Sequence, residues 1–497
     1  MKKIFLIVCG GSILTACSLS PDFTVPDMAL PKEFKEQAAP QDDKKEEVKG
    51  EWKPAVSLEK EDRGQWWKIF ADDTLNELET QAIAENNSLK AAAARVEQSR
   101  ATVRANAASI LPNIDLGGNA VHAKSASTSN APFSSAPPSQ LKPYTLYSAN
   151  AVASYEVDLF GRVRDRENAL SFDADAEDAL YRSTILALQA DVAQHYFSLQ
   201  AIDAERAFLK ETVTIRTEAQ RIMQKRFAVG SVSEVEVSQT DSDLANAKAE
   251  LLTLDRQRGV LENALAILLG KNPSEYHFAE TPLASVAPPF IPAGIPSEVL
   301  ERRPDIASAQ ANMAAANERI GVARTAFFPS LMLTASGGTQ STSLADIFKW
   351  SSRSWAIGQT AGSALALNLL NSGRTLAQID VADAAYNEAV ATYREQVLLA
   401  MGDVENALSE QKTLAEQAAQ QEIAATSTIN ANMLTQKRYE QGDANYFEVV
   451  EVQRNMLAAN RALIQTRGAR LAATIKLIRA LGGGWSETPE KIAQPEG

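Results

Sequence analysis

Residues 224–237, QKRFAVGSVSEVEV, and residues 436–452, QKRYEQGDANYFEVVEV, are two copies of one bend. A shift of 212 superposes them without a gap: Gln224, Lys225 and Arg226 fall on Gln436, Lys437 and Arg438, Gly230 on Gly442, and Glu236 on Glu448. The match runs on through Leu265 on Leu477 and Gly270 on Gly482, so each bend opens a long apolar-periodic run ending in LLGKN or ALGGG. A glycine between two such runs reads as a tight connection between long antiparallel helices. A repeat at fixed spacing makes the chain a tandem duplication.

Working back from the first bend, the helical pattern runs from about Asp165 to Phe227 without Pro or Gly. That is on the order of 90 Å of helix at 1.5 Å per residue. The return helix is expected from about Ser233 to Leu269, so the first copy's long helices occupy about residues 165–269. The second copy places its long helices at about residues 375–481, with the bend near Gly442. Upstream of each long helix the period changes from 3.6 to 2. Ile114, Leu116, Gly118 and Ala120 alternate with Asn113, Asp115, Gly117 and Asn119, and Tyr147, Ala149, Ala151, Ala153, Tyr155 and Val157 alternate with polar neighbours. Four strands are expected, at about 112–124, 145–158, 328–341 and 354–369. The alternation fits lipid on one side and water on the other, and equally a hairpin packed on a soluble core. Before the third strand, Arg303-Pro304-Asp305 opens a helix that matches the Ala-rich one at Leu89 with a shift of 217. Gly373-Arg374 returns to Gly161-Arg162 at 212, so the first strand hairpin is five residues longer than the second.

The plan is thus a first repeat over 66–285 and a second over 286–484, joined by a stretch (271–296) holding six prolines, with a polar tail at 485–497. In front lies a leader, residues 1–16, with Lys2 and Lys3 before the apolar run from Ile4 to Leu14. It is too short to span a bilayer and reads as a signal peptide. Leu14-Thr15-Ala16-Cys17 matches a lipoprotein box, which makes Cys17 the expected lipidation site. The other cysteine, Cys9, leaves with the leader. Residues 17–65, rich in Pro, Lys, Glu and Asp, are expected to form an extended lipid-anchored tether without a core.

Among 497 residues the net charge is −13, which argues against a nucleic-acid partner. No later segment offers about 18 consecutive apolar residues, so any further crossing requires strands closed into a barrel. Four strands are too few, because ordinary barrels begin at about eight. Three chains would supply twelve. No cofactor, metal site or catalytic group is expected. His122, His195 and His277 are scattered, and Gly270-Lys271 lacks the upstream glycine of a phosphate loop.

At this point the chain resembles the outer-membrane factor family, the TolC-like exit ducts of tripartite exporters. Within it the likeness is to the lipoprotein branch serving multidrug pumps of the resistance-nodulation-division class. The residues that carry it are Leu14-Thr15-Ala16-Cys17, Trp66-Trp67, Tyr155 through Arg162, Arg302 through Ile306, Ala323 through Leu331, and Ala480 through Gly484, in that order. The resemblance implies a mainly helical fold with membrane strands: a homotrimer with one twelve-stranded barrel in the outer membrane and a helical tunnel narrowing to an iris. It also implies an inner-membrane pump and a periplasmic adaptor of the membrane-fusion type as partners.

Phe447, Glu451 and Arg454 lie at i, i+4 and i+7, on one helix face beside the second bend. Their counterparts Val235, Gln239 and Ser242 are bland. With the resemblance, that divergence predicts a periplasmic gate. A ring of Phe447 side chains would plug it, and Glu451 and Arg454 would pair within or between chains. The alternative is a core phenylalanine and a surface ion pair. The bends Val229-Gly230-Ser231 and Gln441-Gly442-Asp443 are the expected adaptor contacts, whose glycines also serve the turn itself. The competing function is a lipid-anchored periplasmic coiled-coil scaffold or adaptor, which would carry one helical hairpin beside a lipoyl-like region rather than two in a duplicated frame.

Overall fold

A computed structural model describes residues 18–28, 31, 33–36, 65–124, 143–281, 283, 289, 291, 299, 302–357, 365–366 and 373–483. The leader, Cys17, most of the tether, the loop after the first strand and the tail lie outside these residues. In chain order the elements are α1 (Asp73–Glu85), α2 (Asn87–Ala107), β1 (Asn113–Ala123), β2 (Tyr144–Val157), α3 (Arg162–Ala228), α4 (Glu234–Leu268), α5 (Pro304–Arg324), β3 (Ser330–Ser341), β4 (Arg353–Ile357), β5 (Leu365–Ala366), α6 (Arg374–Gln441) and α7 (Tyr446–Ala480). Of the fourth strand expected over 354–369, the described parts are β4 and β5. Both pair antiparallel with β3, on the edge that β2 leaves free.

The duplication is visible in the backbone. Positive-φ glycines occur as pairs 212 residues apart: Gly161 and Gly373, Gly230 and Gly442, Gly270 and Gly482, with φ between 69° and 88°. In both copies the same site closes the C-terminal end of the returning helix. In the first, Asn86 donates through Nδ2 to the Leu268 carbonyl (2.9 Å) and caps α2 by accepting from the Leu89 amide (2.9 Å). In the second, the equivalent residue is Arg303, which donates to the Ala480 carbonyl at 3.1 Å. These last-turn carbonyls have no partner within their own helix, so a side chain supplied from outside is worth more than its single bond.

The chain divides into two compact units, each drawn from both repeats: residues 1–26, 96–177 and 309–393 form one, and 27–95, 178–308 and 394–497 the other. The first holds the sheet, in the order β1-β2-β3-β4. Directly opposed residues share a face. The register Leu116↔Ala151, Ala151↔Gly337 and Gly337↔Trp355 therefore runs one face through all four strands. That face gathers Ile114, Leu116, Ala149, Ala151, Ala153, Tyr155, Leu331, Leu333, Ala335, Trp355 and Ile357. The other carries Asn113, Asp115, Asn119, Asn150, Ser154, Thr334, Ser336 and Gln340. Leu116 is 84% exposed, Trp355 78% and Ile357 79%, so these side chains of the apolar face are uncovered among the described residues. No helix among the described residues is long and apolar enough to cross a membrane.

The second unit packs Trp66, Trp67 and Phe70 against α3, with Phe70 and Phe197 rings 4.9 Å apart and Trp66 donating to Gln189 at 3.0 Å. Asp72 caps α1 through the Leu75 amide (3.0 Å) and accepts from the Tyr196 hydroxyl (2.6 Å). One piece of the expected tether is folded onto this unit. Phe34 is 3% exposed, and the Lys35 amide donates to Glu405 at 2.7 Å. The charged composition of that stretch hid a single aromatic anchor.

Glu79 on α1 is fully buried and neither carboxylate oxygen has a hydrogen-bond partner among the described residues. Burial pushes its pKa up to about 9. The native state therefore holds a proton that the unfolded chain releases near 4.5. The contribution of this residue to stability falls as pH rises from about 4.5 towards 9 and is flat above that. Replacing Glu79 with Gln is expected to remove this slope and to raise stability by about 3 kcal/mol at pH 7, read by thermal denaturation across pH.

A candidate gate at the hairpin ends

Each bend is closed by local chemistry that its sequence supplies. At the first, the amides of Gly230 and Ser231 return to the carbonyls of Phe227 (2.8 Å) and Arg226 (2.9 Å), and the Ser233 amide donates to Glu236 at 2.7 Å. At the second, Gly442 and Asp443 return to Tyr439 (3.1 Å) and Arg438 (2.8 Å), and Asn445 caps α7 through the Glu448 amide (2.9 Å). These are Schellman stops followed by N-caps, which let each hairpin turn without help from outside. Val229, Gly230, Ser231, Gln441, Gly442 and Asp443 are all exposed. The expected adaptor-contact tips thus stand free in the protomer, with Val229 78% exposed.

Just behind the tips, the second hairpin is bonded to the first. Arg454 donates from Nη2 to Asp243 Oδ1 at 2.6 Å. Asp243 is 3% exposed, its second oxygen has no partner, and its carbonyl accepts from Arg216 at 2.7 Å. The Asp243 carboxylate raises the pKa of Arg454, through the hydrogen bond first and its charge second. Nearer the bend, Thr240 Oγ1 donates to the Tyr446 hydroxyl at 3.3 Å, and Arg226 donates to the Tyr439 hydroxyl at 2.8 Å. Further along, Arg461 reaches Glu205 (2.6 Å) and Glu250 (2.9 Å). Tyr446, Arg454 and Arg461 are spaced by eight and seven residues, so they share one stripe of α7 facing the first hairpin. Between the hairpins runs a cleft of 610 Å³ lined by Arg216, Met223, Arg226, Tyr439, Tyr446 and Met456 among others.

The three residues expected to form the gate are therefore divided. Arg454 turns to Asp243. Phe447, 50% exposed, and Glu451, also exposed, have no bond to it among the described residues. Glu451 lies near enough to add to the Arg454 shift, without an ion pair to it among the described residues. Asp243 was not legible as a site residue. Its counterpart at the 212 shift is Asn455, and its partner lies in the other repeat, where no spacing within one helix points.

Known proteins show the same architecture. The family model described as outer membrane efflux protein matches residues 78–271 and again residues 295–483. The chain is similar to the pyoverdine export outer membrane protein OpmQ of Pseudomonas aeruginosa, 32% identical with 100% of each chain covered. It is also similar to the toluene efflux pump outer membrane protein TtgC of Pseudomonas putida, 30% identical over 98% of this chain and 96% of that one. Among solved structures, the CmeC outer membrane channel of Campylobacter jejuni aligns with a TM-score of 0.84 at 27% identity, covering 95% of this chain and 96% of that one.

Removing Arg454 leaves the Asp243 carboxylate buried and unpaired, a loss of about 1–3 kcal/mol, towards the low end because Arg454 itself is half-exposed. In an Asp243→Asn background the same Arg454→Ala change is expected to cost less than about 1 kcal/mol. A double-mutant cycle by thermal denaturation in detergent measures the coupling. Additive losses would mean that the bond does not hold the hairpins together.

Proposed function

The chain belongs to the outer membrane efflux protein family, and from that premise we propose how its hairpin ends gate an exit duct. The protein is the outer-membrane member of an efflux assembly, a passive conduit. Each chain lends its strands to a twelve-stranded trimeric barrel and its long helices to the tunnel below. We propose that the periplasmic end is closed by Phe447 rings of the three copies, with Glu451 exposed beside them. Arg454 holds the second hairpin shut by gripping Asp243 on the first. A periplasmic adaptor of the membrane-fusion type takes the tips Val229–Ser231 and Gln441–Asp443, and an inner-membrane pump of the resistance-nodulation-division class supplies the energy. Cys17 carries the lipid that anchors the chain to the outer membrane.

The observation that carries the gate reading is the bond between Arg454 and Asp243. It joins two hairpins whose bends are each capped internally, so breaking it removes one of the bonds between them without unwinding either. Relatives named for toluene and for pyoverdine match the chain over nearly its full length. That supports a duct whose cargo is chosen by its pump and adaptor.

Single-channel conductance in planar bilayers tests it. The wild type is expected to be nearly closed, and Glu451→Ala with Arg454→Ala to conduct at least several-fold better. Asp243→Asn alone is expected to open the duct comparably. Wild-type conductance in all of these, from folded trimers, would discard the latch.

A further inference from the structure

The apolar face of the sheet ends in a cation. Arg353 opposes Thr339 and falls in the same alternate set as Trp355 and Ile357. Among the described strand residues it is the one Asp, Glu, Lys or Arg on that face. The register also fixes its depth. Counted from Leu331, the first residue of β3 on the apolar face, Thr339 is the ninth residue along the strand. A barrel strand needs about 9–11 residues to cross a bilayer. Arg353, level with Thr339, therefore stands where hydrocarbon gives way to headgroups. The helices α2 and α5 lead into β1 and β3 from the other end of the sheet. With the helices on the periplasmic side, the end that carries Arg353 is the outer rim.

The connection from β3 to β4 is folded. It makes two 3-10 turns, Leu344–Asp346 and Trp350–Ser352. The Lys349 amide donates to the Asp346 carbonyl (3.0 Å), the Ser352 amide to the Lys349 carbonyl (3.0 Å), and the Ser352 hydroxyl to the Asp346 carbonyl (2.7 Å). Ile347 is buried beneath them, yet Phe348 is 81% exposed, Trp350 79%, and Leu344 also stands out. A loop that is ordered this far and still shows three large apolar side chains suits an apolar surrounding. Its two bases are treated differently. Lys349 is held by Asp346 at 2.5 Å. Arg353 has no acid partner and no hydrogen bond among the described residues, and its guanidinium lies over the Trp350 ring, 4.1 Å from the centroid. Stacking fixes the plane of the guanidinium and leaves its N–H edges open. At the same level the other strands present only Thr339, Ala149 and Gly118, all small.

We propose that Arg353, stacked on Trp350, binds the phosphate of an outer-leaflet lipid whose acyl chains run down the face over Trp355 and Ile357. This rests on the barrel reading, which puts that face in hydrocarbon. A guanidinium held in one plane offers parallel N–H bonds that match two phosphate oxygens. The low row of Gly118, Ala149 and Thr339 leaves room for the headgroup beside it. The charge answers the phosphate, and the exposed Trp355 and Ile357 answer the chains. A soluble anion would satisfy the first and not the second.

Native mass spectrometry of detergent-purified trimers, offered lipid A and the same lipid stripped of its phosphates, tests the site. The wild type is expected to retain the phosphorylated lipid several-fold better. Arg353→Gln is expected to bring the two to equal retention, and Trp350→Leu to lose most of the preference although the charge is kept. Lys349→Gln is expected to behave as the wild type. Equal retention of the two lipids by the wild type, or an undiminished preference in Arg353→Gln, would overturn the proposal. Quenching of tryptophan fluorescence by chain-brominated phosphatidylcholine in vesicles reads the barrel separately. Trp355→Phe is expected to lose part of the wild-type quenching. If the quenching does not change, the barrel reading fails and the proposal with it. If Trp355 is quenched and Arg353→Gln keeps its preference, the phosphate site alone fails.

Discussion

A sheet with an uncovered apolar face and two open edges has one stable home. In water the exposed Leu116, Trp355 and Ile357 would drive association. In lipid they are at ease, but the outer edges of β1 and of β4 with β5 are not, since hydrocarbon offers no partner for a backbone amide. The remedy is to bring the free edge of one copy to the opposite free edge of another until the ring closes. Closure of several copies into a ring is thus a condition for the strands to exist in a membrane.

Much of this was legible in the sequence, for reasons that can be named. Alternation over Asn113–Ala123 marks both the strand and its apolar face, because the period of two is fixed by the pleat. The paired glycines were legible because only glycine adopts their φ cheaply. What escaped were contacts between segments far apart in the chain. Asp243 looks like any surface acid until Arg454 of the other repeat is laid against it. Phe34 sits in a stretch whose charge suggests no core at all, yet it is buried. Asp165 reads as the acid expected in a first helical turn, and becomes unusual only when α5 and Ser18–Pro21 cover it. Local periodicity carries no information about which distant face arrives.

The two hairpins began as copies, and identical copies pair symmetrically, each acid of one with a base of the other and the reverse, which does not tell one copy from the other. Divergence solved this by sorting. The acids that join them, Glu205, Asp243 and Glu250, all belong to the first repeat, and the bases that answer, Arg454 and Arg461, to the second. At the 212 shift the acids become Gln417, Asn455 and Ala462, and the bases trace back to Ser242 and Ala249. Each partner has lost its charge in the other copy, so the first hairpin cannot pair with another first hairpin in this register.

That sorting also separates two kinds of strength. The glycine stops and N-caps that end the helices lie within each copy and do not depend on the other, while Leu254 of α4 and Leu457 of α7 pack with Leu209 in one cluster across the two. Beside that cluster, the hairpins are joined near the bends by polar bonds ending on partly exposed arginines, where solvent offers an alternative partner. Losing them costs little compared with unfolding a helix of 35 residues. In the proposed gate, motion is an exchange of side-chain partners near the bends while the helices stay whole. A gate needs that property, and a purely hydrophobic seam between the hairpins would not have supplied it.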